Sequence, residues 1–498
     1  MINVPKIIKV VTFCLAAGYS VTAEAQFIDT TAQRVKTPLK IDYKKIGTIQ
    51  PRSTQQIEAS RLTIGCETLD RDYADFNAYK DYLPPLGIKK IRLQSGWGKT
   101  EKQKGIYNWK WLDSIIDFAT ANKLVPWLEV SYGNPVYNGG GGTGLLNSMP
   151  TSAEGYAAWD RYVAAIVTRY KGRVNEWEIW NEPDHPLQSN LPETVAKLNL
   201  RTATIIKAIQ PDAKIAGLAF ASHSDTEYFD RFLKVIADSA KMDLFTWFSY
   251  HSYAMRPEDA YRTRGVPALQ KVLAGYTNKV KLRQGENGAP STYIPSYALD
   301  KYFWTEYSQA KYDMRRVLGD LGRDIETSVF TIIDIRYPGK ETVMNKKGLI
   351  ESDMTLIAIR PKVAYYGMQN IAAIFDNKLN LTPAFGYTTE SKESMSVFGY
   401  TQDGTDKHAV TLWLDGKIPS NAFTTTPTNI TLQNVKFTQP VYVDLMTGHI
   451  YDIPANAWSK QGNSYAFKNI PLYDAPVLIA EKSMVLKSSS NVNLKQKA

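Results

Sequence analysis

The sequence predicts an α/β fold: a (β/α)8 TIM barrel followed by a small C-terminal antiparallel β-sandwich. Three observations carry that expectation. Between about residues 60 and 375, short apolar runs alternate with longer helix-like segments, the pattern of parallel strands joined by crossover helices. The runs number eight, at 62–66, 88–93, 125–130, 176–180, 214–218, 245–250, 280–284 and 328–333. After about residue 380 the helical period gives way to strand-length alternation at 395–400, 409–414, 430–437, 441–445, 464–467 and 477–481.

Each element has its own warrant. Segments 109–122, 153–170, 192–209, 226–239 and 302–318 are long enough for three or more helical turns between strands. A doubly wound open sheet is the rival arrangement, and it would want a glycine-rich phosphate loop after its first strand. Thr63-Ile64-Gly65-Cys66-Glu67 is not one. In the C-terminal part, Asp403-Gly404, Asp415-Gly416 and Thr447-Gly448 are turn signals between strands. The expected division is a signal peptide over 1–25, an N-terminal segment over 26–59 that runs across to the sandwich, the barrel over 60–375, the sandwich over 380–485 and a disordered tail over 486–498.

The signal rests on Lys6 and Lys9, an apolar stretch from Val10 to Val21, and Ala23-Glu24-Ala25 before Gln26. That stretch is too short and too weakly apolar for a membrane span, so the expected location is secreted or periplasmic, with no membrane insertion once the signal is removed. Phe13 before Cys14 argues against lipid attachment, and cleavage after Ala25 leaves Cys66 as the only cysteine, so no internal disulfide is expected. Five His and two Cys, none at metal-ligand spacing, give no expected metal, and no cofactor is implied. The net charge of +10 is spread along the chain without a basic run, which excludes an evident nucleic-acid footprint.

Two motifs carry chemistry. Glu176-Trp177-Glu178-Ile179-Trp180-Asn181-Glu182-Pro183 places an acid at the end of the fourth strand, and Leu282-Arg283-Gln284-Gly285-Glu286-Asn287-Gly288 places one at the end of the seventh. Barrel chemistry sits at the C-terminal strand ends, and strands four and seven face one another across the mouth. Glu182 as a helix-capping acid and Glu286 as a turn acid are the bland alternatives. Glu178 shares a strand face with Glu182 and is expected in the lumen as a buried, hydrogen-bonded acid.

With Ile91-Arg92-Leu93 on strand two, Gly105-Ile106-Tyr107-Asn108-Trp109, and Phe248-Ser249-Tyr250-His251-Ser252-Tyr253 on strand six, these motifs resemble clan A retaining glycoside hydrolases. The chain is most similar to the family 39 group of β-xylosidases and α-L-iduronidases, over about residues 60 to 375. The resemblance implies Glu286 as nucleophile, its charge stabilised by Arg92 and Tyr253, Glu182 as acid/base, and Asn181 on the sugar 2-hydroxyl. It also implies carboxylates about 5 Å apart and net retention. The implied partner is an oligosaccharide or polysaccharide, cleaved at a bond expected to be β-linked.

One departure stands out, because many clan members carry a Trp at the end of strand eight and Phe330-Thr331-Ile332-Ile333-Asp334 has none. Trp304 or Trp97 is the expected substitute. Trp127 is split between sugar platform and barrel packing, His251 between sugar binding or orienting Glu286 and a core role, and Arg92 between site and structural ion pair. The loop Asn138-Gly139-Gly140-Gly141-Gly142-Thr143-Gly144 reads as a lid or a plain mobile loop. The alternative to an enzyme is a non-catalytic carbohydrate-binding protein on the same barrel.

Overall fold

Eight parallel strands close on themselves in sequence order: Leu62–Gly65, Lys90–Gln94, Val125–Val130, Glu176–Ile179, Lys214–Phe220, Trp247–His251, Lys281–Glu286 and Glu326–Val329. The structure is a computed structural model that describes residues 35–145, 147–186, 190–338 and 342–486. The expected signal peptide and most of the expected tail lie outside the described residues. No helix among the described residues is long and apolar enough to cross a membrane.

Local chemistry explains where the surrounding helices begin. Ser152 caps Ala153–Tyr170 by accepting from the Gly155 amide at 2.9 Å, and Pro192 opens Pro192–Ile209, where its missing N–H costs nothing. The helix after strand seven runs over Glu306–Leu321, starting later than the 302 that periodicity suggests. The reason is a reciprocal cap, with Thr305 and Ser308 each bonding the other's backbone amide. Nearly every residue of this helix is buried, including charged ones, because barrel and sandwich both cover it. Lys311 pairs with Asp474 of the sandwich at 2.5 Å, and Arg315 pairs with Glu258 at 2.5 Å while donating to the Asp415 carbonyl at 3.2 Å.

Strand eight also departs from expectation, ending at Val329 rather than near 333. Beyond it the chain leaves the barrel wall: the Ile332 amide donates to the Gly65 carbonyl at 2.9 Å, and Ile333 bridges to Ile350.

The C-terminal region forms a seven-stranded and a four-stranded antiparallel sheet. They are joined in one apolar core through residues such as Leu412, Val443, Leu432 and Phe467. Tyr442 in the larger sheet donates to the Pro471 carbonyl in the smaller at 2.9 Å. The larger sheet takes its edge strand from far upstream: Lys45–Thr48 lies antiparallel to His449–Asp452.

The barrel lumen is charged. In its lower layer the Arg283 guanidinium lies between Trp127, at 3.7 Å from the ring centroid, and Trp247, at 4.4 Å, and it binds Glu176 at 2.6 Å. Burial works to raise the Glu176 carboxyl, but Arg283 and Lys90 outweigh it and hold it down at about 2. Above this layer sits Arg92, and above Arg92 the mouth of the barrel.

Candidate active site

Arg92 organises the mouth. It is fully buried and donates five hydrogen bonds: to Glu178 at 2.7 Å, Glu67 at 3.0 Å, Glu286 at 3.2 Å, Asn181 at 2.9 Å, and Glu129. Strands two, three and four carry Arg92, Glu129 and Glu178, Glu67 follows strand one, and Glu286 ends strand seven. A guanidinium buried in this way must be paired, and its five donors match the acceptors offered by the surrounding strand ends. Arg92 is thus a buried ion-pair partner of four carboxylates, Glu286 among them. So many carboxylates cannot all stay ionised around one cation. Burial pushes Glu67 up to about 8 and Glu129 well above its ordinary value, against the downward pull of Arg92 in both cases.

Glu182 leaves strand four through a contorted turn. Trp180 has φ 63° and Glu182 has φ 46°, left-handed values that cost a side-chain-bearing residue roughly 1–2 kcal/mol each. Neighbouring contacts sustain the turn. The Glu182 amide donates to the Ala219 carbonyl at 2.8 Å, and Asp184 accepts from the Ala221 and Ser222 amides at 2.7 and 3.0 Å, tying this loop to the one after strand five. Burial raises the Glu182 carboxyl above its ordinary range, opposed by His185 and Arg92.

Glu286 is held from three sides. Tyr253 donates to its Oε1 at 2.5 Å, Arg92 to its Oε2 at 3.2 Å, and His251 Nδ1 lies 3.5 Å from Oε2. The same His251 nitrogen is 2.8 Å from Glu182 Oε1, so the imidazole bridges the two acids. Burial lowers the His251 pKa, keeping the ring neutral, and its Nε2 is buried without a partner among the described residues. One atom each of Glu182, His251 and Glu286 lie within 4.8 Å of one another. A cation could span such a distance, but it would share Glu286 with the Arg92 guanidinium. Both acids keep 13% of their side-chain surface open to solvent. Gly285 makes the close packing possible, since a Cβ there would sit 2.4 Å from Ser249 Oγ.

Of the residues singled out in the sequence, Glu182, Glu286, Asn181, Arg92, His251 and Tyr253 come together here, and Glu178 lies in the lumen beneath them. The three tryptophans do not face a ligand. Trp97 is fully buried, stacked between Tyr137 and Tyr162, with its Nε1 donating to Glu101 at 2.6 Å. Trp127 is fully buried under Arg283 in the lower layer, and Trp304 packs with Tyr312, its Nε1 spent on the Leu299 carbonyl at 2.8 Å. A ring with both faces covered cannot stack on a sugar, so the sugar-contact role expected for these three is corrected. The glycine loop over 138–144 folds closely back on itself. A Cβ on Gly140 would lie 2.3 Å from the Asn134 carbonyl, and one on Gly141 2.3 Å from that of Ser148, so the glycines allow a tightly folded turn.

Sequence reasoning missed Glu67 and Glu129 as partners of Arg92, and Tyr337 and Lys347 at the mouth. A balance of charges would have found the first two, because a lumen-facing Arg demands acids on the adjoining strand ends. Lys347, with its Nζ 5.5 Å from the Tyr253 ring centroid, is lowered to about 7 by burial, while Glu286 pulls the other way.

The model of glycosyl hydrolases family 39 matches residues 45–275. The resemblance to family 39 is thereby shown. Human alpha-L-iduronidase is 26% identical over 226 residues, covering 42% of this chain and 32% of that protein. The beta-xylosidase of Geobacillus stearothermophilus is 26% identical over 164 residues, 31% of this chain and 32% of that enzyme. The chain thus spans about a third of the length of these two relatives. Among solved structures, a family 39 glycoside hydrolase from Bacteroides cellulosilyticus superposes with a TM-score of 0.63 at 16% identity, covering 87% of this chain and 83% of that one. At that identity the superposition establishes the barrel fold alone.

Proposed function

We propose that the protein is an exported retaining glycoside hydrolase, with Glu286 as nucleophile and Glu182 as acid/base. The observation that carries this reading is the spacing of the acids. Retaining enzymes hold their carboxyl groups about 5 Å apart, whereas inverting enzymes need about 6.5–9.5 Å to admit water, and oxygens within 4.8 Å match the first class.

The surroundings suit the two roles. Arg92 and Tyr253 direct positive charge and an O–H at the Glu286 carboxyl, the partners that suit a nucleophilic role. Burial keeps a proton on Glu182 to higher pH, as a general acid needs. In the first step Glu286 attacks the anomeric carbon while Glu182 protonates the departing oxygen, giving a glycosyl ester and a free alcohol. In the second, Glu182 takes a proton from water as the water oxygen displaces Glu286. Asn181 accepts from Arg92 through its Oδ1, which leaves Nδ2 as the donor for the sugar 2-hydroxyl. The neutral His251 bridge aligns the pair. The substrate class is a glycan with a β-linked terminal sugar. Export rests on the N-terminal leader, and the mature protein is expected to begin at or near Gln26 by intact mass.

Azide rescue tests the roles. Glu182→Ala should still form the glycosyl-enzyme from a substrate whose leaving group needs no proton. Azide should then restore turnover and give a glycosyl azide of the substrate's own anomeric configuration. Glu286→Ala should lose several orders of magnitude in rate, and azide should give the opposite anomer. The same anomer from both variants, read by proton NMR, refutes the assignment.

A further inference from the structure

Glu182 opens a four-residue turn. The His185 amide donates to the Glu182 carbonyl at 3.0 Å, and Pro183 takes the second position, where its fixed φ suits a turn. Pro183 has no N–H of its own, so the backbone around it must be held from its flanks. On one flank the Glu182 amide donates to the Ala219 carbonyl at 2.8 Å; on the other, Asp184 accepts from the Ala221 and Ser222 amides at 2.7 and 3.0 Å. Both contacts fall on the end of strand five and the loop after it.

That loop is itself braced. Strand five breaks register with strand six between Gly217 and Phe220, with Leu218 at φ 75° and Ala219 at φ 42°, and the buried Asn199 supports this kink by accepting from the Leu218 amide at 3.0 Å. Ser222 Oγ accepts from the Asp225 amide at 3.2 Å, and Asp225 caps the helix Thr226–Asp238 by accepting from the Tyr228 amide at 3.0 Å. The Tyr228 hydroxyl then donates to the Asn190 carbonyl at 2.9 Å, and Asn190 Nδ2 donates to the Pro183 carbonyl at 3.0 Å. The hydrogen bonds close a circuit, running from Asp184 through the strand-five loop and its helix and back to the residue between Glu182 and Asp184.

The circuit meets the site on one side. Asp184 feels the charge of Glu182, and His251, whose Nδ1 lies 2.8 Å from Glu182 Oε1, feels that of Asp184. Tyr253 and Arg92, which donate to Glu286, stand outside it. A φ of 46° at Glu182 persists where the surroundings over-determine it, and a carboxylate accepting two backbone amides is a stronger fastening than the neutral bonds of the same circuit.

We propose that Asp184 is a positioning residue for the acid/base: its grip on the strand-five loop sets where the Glu182 carboxyl stands against the departing oxygen, and the nucleophile does not depend on it. This rests on the hydrolase reading and adds a residue through which the protonation step is controlled.

The test uses the 2,4-dinitrophenyl and phenyl β-glycosides of xylose, glucose and mannose at pH 7, above the value of about 6 to which burial pushes the Asp184 carboxyl. Dinitrophenolate departs without a proton, whereas the phenyl leaving group needs one. Asp184→Ala removes both acceptors, and a reacting group misplaced by about 1 Å costs on the order of a hundredfold, so kcat/KM on the phenyl glycoside should fall roughly tenfold to a hundredfold. On the dinitrophenyl glycoside kcat/KM, which reports formation of the glycosyl-enzyme, should stay within about threefold of wild type, while kcat and KM fall together because attack by water also draws on Glu182. Asp184→Asn keeps a carbonyl oxygen for one of the two amides and should recover part of the loss; it carries the same comparison if Asp184→Ala does not fold by circular dichroism. In the Glu182→Ala background Asp184→Ala should cost nothing further on the phenyl glycoside, since nothing is left to position. A fall of equal size on both leaving groups, or a full additional loss in the Glu182→Ala background, overturns the positioning role and leaves the hydrolase reading standing. If wild type cleaves none of these glycosides, the hydrolase reading fails and the positioning role falls with it.

Discussion

Replacing Arg92 with Met is expected to destabilise the protein by about 3–5 kcal/mol at pH 8, the usual cost of removing one member of a buried ion pair, and by much less at pH 5. Among the described residues Arg92 is the only cation ion-paired to Glu67, Glu129, Glu178 and Glu286 through a guanidinium or ammonium group, and its side chain is wholly inaccessible. A penalty for each of the four acids is not expected, because a buried carboxyl that loses its counterion takes up a proton instead. Two acids already lean that way, Glu67 at about 8 and Glu129 well above its ordinary value, both through burial. A carboxyl whose folded pKa exceeds its unfolded one contributes stability at low pH and loses it as pH rises through the folded value. For Glu67 that window runs from its ordinary 4.5 up to about 8. Without Arg92 the downward pull on these acids is gone, so the variant loses stability more steeply across the window than wild type does. Urea unfolding followed by the fluorescence of the eleven tryptophans, at pH 5, 6.5 and 8, reads the difference directly. A deficit independent of pH, or one of only about 1 kcal/mol at pH 8, the size of an exposed pair, would refute the reasoning.

Tyr253→Phe removes one hydrogen bond to the Glu286 carboxyl, of a kind worth about 1.5–3 kcal/mol, so kcat/KM should fall roughly tenfold to a hundredfold, with the melting temperature lowered by a few degrees. His185→Asn removes a positive influence that holds the Glu182 carboxyl down, so the alkaline limb of the pH–rate profile should move upward, as measured on an aryl glycoside between pH 5 and 9. An unmoved or lowered limb contradicts Glu182 as the acid. Gly285→Ala pushes a methyl group to 2.4 Å from Ser249 Oγ and 3.1 Å from His251 Nε2, and should reduce activity at least tenfold while lowering the thermal midpoint.

What the sequence made legible follows from periodicity. Eight apolar runs with helices between them define a barrel, and a barrel assigns strand ends to one face, which is enough to bring Glu182 and Glu286 together. The partners of Arg92 were not legible for the opposite reason. Glu67 and Glu129 are ordinary acids in their own segments, and only closure of the sheet converts them into buried groups competing for one guanidinium. The tryptophans failed differently, since position along the chain gives a ring's size but not its direction. Trp97 follows strand two on the correct face, yet the short helix Trp97–Thr100 turns it inward to Glu101. Tyr337 ends the short strand Ile335–Tyr337, outside the barrel wall, where three residues are too few to show a period in the sequence.

The short strand Lys45–Thr48 has a consequence for how this chain comes into being. Its partner, His449–Asp452, lies about 400 residues downstream, so at translation rates of roughly 5–20 residues per second the strand waits on the order of 20–80 seconds before the sheet can accept it. During that delay it would be a bare edge open to stray pairing, and its four-residue length, with Lys44 and Lys45 at its start, limits that hazard. The same arrangement makes the C-terminal sheets unsuitable as a transplantable module: excising them at residue 380 leaves the edge strand behind, and trimming the N-terminus to residue 60 strips it from an otherwise unaltered chain. Either truncation should cost solubility before it costs the barrel.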